Sequence, residues 1–80
     1  MQQETAWPVI RAAYRCSADL QNLLKFLKER CSADENKPFA NGIATAIDTI
    51  NVQLVDRALA IRPELAKKIE SDLAKFGRLM

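Results

Sequence analysis

Cys16 and Cys31 are the only thiols in the chain, and histidine is absent altogether. A thiol nucleophile needs a neighbouring base to take its proton, and a zinc site needs several nitrogen or sulfur ligands within reach. Two isolated cysteines offer neither. They do not form a Cys-x-x-Cys pair, and fifteen positions separate them. Within one helix that spacing sets them roughly 22 Å apart at a rise of about 1.5 Å per residue, whereas a disulfide needs Cα atoms within about 7 Å. Reduced, mostly buried thiols are expected. Among the carboxylates, Asp34 and Glu35 fall where the chain reads as a turn, and Glu70 and Asp72 fall on different sides of one helix, so neither pair is set up for acid–base work. Gly42 and Gly77 lie too far apart to build a phosphate loop or a dinucleotide fingerprint. These residues imply no enzyme, no cofactor and no metal.

The elements that must position these side chains are helices. Pro8, Pro38 and Pro63 each head a run in which apolar residues recur every three to four positions. Proline suits the first turn of a helix, where its missing N–H has no intrahelical acceptor, and it disrupts helix interiors. This reading predicts helices over about residues 8–31, 38–61 and 63–78. In the first, Val9, Ala13, Leu20, Leu23, Leu24 and Leu27 fall with both cysteines on one side, and Arg11, Arg15, Asp19, Asn22, Lys25 and Glu29 on the other. The tetrapeptide Cys-Ser-Ala-Asp occurs at 16–19, inside this periodicity, and again at 31–34, where it reads as the first interhelical turn. The second helix carries an apolar stripe of Phe39, Ile43, Ile47, Ile50, Leu54, Ala58 and Ile61, widened by Val52, Val55 and Leu59. An apolar surface that wide needs cover on two sides. Leu65, Ile69, Leu73, Phe76 and Met80 line the third helix. Short connections make an up-down-up three-helix bundle the simplest all-α architecture, with helix three returning along helix two.

Eighty residues make one domain, spanning 1–80, and a chain this size buries only about 60–65% of its extended surface on folding. Extra burial through a homodimer is expected on that ground. Hydrophobic residues make up 49% and charged residues 28%, a globular balance rather than a disordered one. Neither a basic leader followed by an apolar stretch nor a run of about 18 apolar residues is present, so the expected setting is the cytoplasm, away from the membrane.

Net charge is +2, and it is unevenly placed: five basic against three acidic groups in residues 1–31, two against four in 32–61, and five against three in 62–80. That segregation is too mild to favour nucleic acid, and the lysines of the segment Pro63 to Ile69 read as a solvated helix face. Trp7, Ile10 and Tyr14 follow helical spacing away from the main stripe of helix one, with Arg11 and Arg15 beside them. Trp, Tyr and Arg are the side chains most enriched at interaction hot spots. Two placements are open for Trp7: this edge, as a protein-binding surface, or the end of the bundle, as a second core face. Val52, Val55 and Leu59 form the other candidate surface, a dimer seam or partner face if helix two is covered on one side only; core burial is the alternative for them. Trp7, Ile10 and Tyr14 also resemble the first helix of a tetratricopeptide repeat, but no turn follows Tyr14 closely enough to complete such a unit. The function expected is that of a small non-enzymatic regulator, inhibitor or adaptor that binds another protein. A nucleic-acid-associated protein and a purely structural homodimer are the alternatives.

Overall fold

Ser32 and Glu35 cap one another at the start of the second helix. The Glu35 N–H donates to Ser32 Oγ at 3.2 Å, and the Ser32 N–H donates to Glu35 Oε1 at 3.0 Å. This reciprocal box satisfies two donors that a helix start leaves unpaired. The computed structural model describes all 80 residues, and every regular element in it is helical. Helix α1 spans Gln3–Arg30, and α2 spans Ala33–Ile50. A π-helical segment, Asn51–Asp56, carries α2 without a break into α3, Arg57–Ile61. Helix α4 spans Leu65–Phe76. Three helical rods result.

Pro8 and Pro38 lie inside their helices, each at the sixth position, so both rods begin earlier than proline punctuation predicts. The capping box sets the start of α2 at Ser32, about a turn and a half ahead of Pro38, and the proline is carried within the helix. At α1, Ala6 and Trp7 are buried on the turn before Pro8, and that burial holds the turn helical against the usual preference of a pre-proline residue for extended backbone. Pro63 alone behaves as expected. The Leu65 and Ala66 N–H groups bond to the Arg62 and Pro63 carbonyls at 3.1 Å, one tight turn that leads into α4.

The α1–α2 hairpin is zipped along a seam of three- and four-residue steps. On α1 the seam runs through Ala6, Ile10, Ala13, Ser17, Leu20, Leu24 and Leu27, and on α2 through Asn36, Ala40, Ile43, Ile47 and Ile50. From Ile50 the next buried residue is five positions on, at Val55, followed by Ala58. The π-helical turn supplies that extra residue and rotates everything after it by about 100°. Leu54 and Ile61, expected on the buried stripe, are turned outward and stand 42% and 50% exposed.

Helix α4 has 12 residues against 28 in α1, about 18 Å of helix against about 42 Å. It therefore covers one end of the hairpin. Its Leu65 and Ile69 join Ala6, Trp7, Ile10, Ala58 and Leu79 in the one core cluster. It runs beside the first half of α1 in the same sense, and so opposite to the second rod, as an up-down-up order requires: its start shares a shallow depression with Glu4 and Trp7, its end adjoins Tyr14 and Ala18, and Ala58 of α3 meets it in the core. Beyond its reach Phe39 is 59% and Leu23 44% exposed. Cys16 is exposed and Cys31 half-buried, both as free thiols, so the expected burial of the thiols fails at Cys16. The body measures 45 × 25 × 14 Å.

Candidate protein-binding groove

The residues Arg11, Tyr14, Arg15 and Ala18 stand at i, i+3, i+4 and i+7 along α1, one helix face, on the side that faces the end of α4. The opposite wall is made where α4 stops. Gly77 adopts φ +71° and its N–H bonds to the Leu73 carbonyl at 3.0 Å, a left-handed helix terminus that residues with a Cβ adopt only at a cost. That reversal swings Arg78 alongside α1 and drives Leu79 into the core at 9% exposure. Met80 is held from both sides: its N–H donates to Asp72 Oδ2 at 3.1 Å, and its carbonyl accepts from Trp7 Nε1 at 2.9 Å.

Between these walls lies a half-open groove of about 510 Å³. Tyr14, Ala18, Leu73 and Leu79 give it apolar sides, and Arg11, Arg15 and Arg78 surround it with three guanidinium groups. None of the three is in an ion pair. The only one in the molecule joins Arg62 Nη1 to Glu64 Oε1 at 3.5 Å, with Arg62 Nε also donating to the Met1 carbonyl at 2.8 Å. Unpaired guanidinium groups keep their planar forks free for carboxylate or phosphate oxygens.

The edge read from the sequence is thus divided. Trp7 and Ile10 belong to the core, at 7% and 0% exposure, because α4 and the returning chain close over them. The Lys68 ammonium sits 4.5 Å from the Trp7 ring centroid, covering its remaining face. Arg11 and Tyr14, half-buried, and Arg15, exposed, stay on the groove. Arg78 was not legible as their neighbour, since its place depends on the turn at Gly77.

The second candidate face is divided between the two placements open for it, with Val55 and Leu59 at the core and Val52 at the surface. Val55 is buried at 6%, Leu59 packs half-buried against the core, and Val52 is 48% exposed on another side. The π-helical turn separates them. Phe26 is exposed and carries the Arg30 guanidinium 4.9 Å above its ring centroid. No group of three or more His, Cys, Asp or Glu side chains converges as metal ligands, and no helix is long and apolar enough to cross a membrane. The chain matches no protein-family model, no curated protein and no solved structure.

Proposed function

We propose that this protein is a non-enzymatic interaction module, a regulator, inhibitor or adaptor that engages an acidic, partly apolar segment of another protein in the groove between α1 and the end of α4. The observation that supports this reading is the set of three unpaired guanidinium groups, Arg11, Arg15 and Arg78, around a groove with apolar sides. Arginine forks recognise carboxylates in pairs of parallel bonds, and the apolar walls take the intervening side chains.

Fluorescence anisotropy with a labelled helical peptide of alternating Glu and Leu positions tests it. The expected result is salt-sensitive binding that Arg15→Ala or Arg78→Ala weakens by about tenfold, the equivalent of about 1.4 kcal/mol, with no binding of the matching Lys–Leu peptide. Equal binding of both peptides would defeat the reading. The same arginines also favour phosphate, so a mixed-sequence DNA duplex belongs in the experiment. Tighter, steeply salt-dependent binding to the duplex would move the assignment to a nucleic-acid-associated protein.

A further inference from the structure

On the side of the hairpin away from the arginine groove, the sector beside the seam holds no charged residue. At 100° per residue, the sector of α1 next to the seam on that side holds Val9, Cys16, Leu20, Leu23 and Leu27, and the facing sector of the second rod holds Phe39, Ala46, Ile50 and Leu54. No charged residue falls within these sectors; Asp19, Arg30 and Glu35 lie just outside them, Arg30 turned over the Phe26 ring and Glu35 tied into the Ser32 box. Helix α4 covers none of it, because α4 packs on the Trp7 side of α1.

Surface area says what is missing. The chain exposes 5779 Å², whereas a folded monomer of 9.0 kDa exposes about 4,900 Å². The excess of about 900 Å² matches the roughly 800 Å² that each partner contributes to a stable interface. The radius of gyration agrees: 14.8 Å against about 12 Å for a compact chain of this length. Two helices, each about 10 Å wide, along a 45 Å axis outline an area of the same size.

We propose that this uncharged flank is the contact between two copies of the chain, hairpin packed on hairpin to give a two-layered, four-helix core. A second copy fits for a specific reason. An isologous contact sets each patch against its own duplicate, so any net charge on it would face like charge. This flank has none to oppose. The arginine groove points away from the contact and stays open in the dimer.

Sedimentation velocity of the full chain across micromolar concentrations, with a reductant, tests the proposal. The expected mass is twice 9.0 kDa, and Leu23→Asp and Phe39→Asp should each halve it while the circular dichroism stays helical. Both side chains are exposed in the single copy, so the charge has nothing to disrupt there. A wild-type monomer, or a dimer that survives both substitutions, would overturn it. Maleimide labelling of Cys16 in the wild type gives an answer that needs no variant. Cys16 should be protected at high concentration and become reactive on dilution, and labelling at a rate independent of concentration would contradict the proposed contact.

Discussion

Ser32 shows how much one exposed side chain can decide. Replacing it with alanine removes the acceptor for the Glu35 N–H and should cost about 1 kcal/mol of stability, read as a lower midpoint in urea. The Ser32 backbone N–H, and after it the Ser32 hydroxyl, hold the Glu35 carboxyl below the usual carboxylate range. A carboxylate with a lowered folded-state value stabilises the fold above the unfolded value, about 4.3, and loses that contribution as the pH falls through the folded value. Acidification should therefore fray the first turn of α2, and in Ser32→Ala the Glu35 titration, followed by NMR, should move back toward the ordinary range. The signal for this start, Ser-x-x-Glu ahead of an apolar run, stands in the sequence at 32–35. Pro38 draws the reading downstream of it. Trp7 is different in kind: its burial depends on the Met80 carbonyl, 73 positions away, and no local pattern announces that.

At the level of elements, three helical rods and their order follow from periodicity, because a 3.6-residue repeat is a local property. The π-helical turn is not legible in this way. Nothing in Asn51–Asp56 breaks helical periodicity, and the extra residue shows only once α1 defines which positions meet the seam. If the turn serves to bring Val55 and Ala58 into register, deleting Gln53 leaves them four and seven positions after Ile50, already aligned with a regular α-helix. The deletion variant should fold and gain about 1 kcal/mol from a restored ladder bond, a rise in melting temperature of about 4–8 °C for a domain of this size. A variant that loses its helical signal would show that the segment has another task.

Across the whole molecule, the shortness of α4 is the deciding fact. The sequence already makes the third helix the shortest, at 63–78, and at 12 residues α4 covers one end of the hairpin and leaves side chains such as Leu23 and Phe39 exposed. The sequence already hints at this shortage in the width of the apolar surface on the second rod, though it assigns the surplus to Val52, Val55 and Leu59 rather than to Leu23, Phe39 and Leu54. If two copies share that surplus, stability is tied to association, and the melting temperature should rise with protein concentration. A midpoint that stays constant over the same range would mean that the single chain is self-sufficient.

The one-ended core also sets an order of opening. Around Trp7, Leu65 and Ile69 three rods hold one another, but near the Cys31–Ser32 turn only two helices meet, across half-buried side chains. Backbone amides there should trade protons for deuterons soonest, with protection growing steadily toward Ala6 and Ala58. The molecule would then come apart as a clasp does, from the free tips toward the hinge.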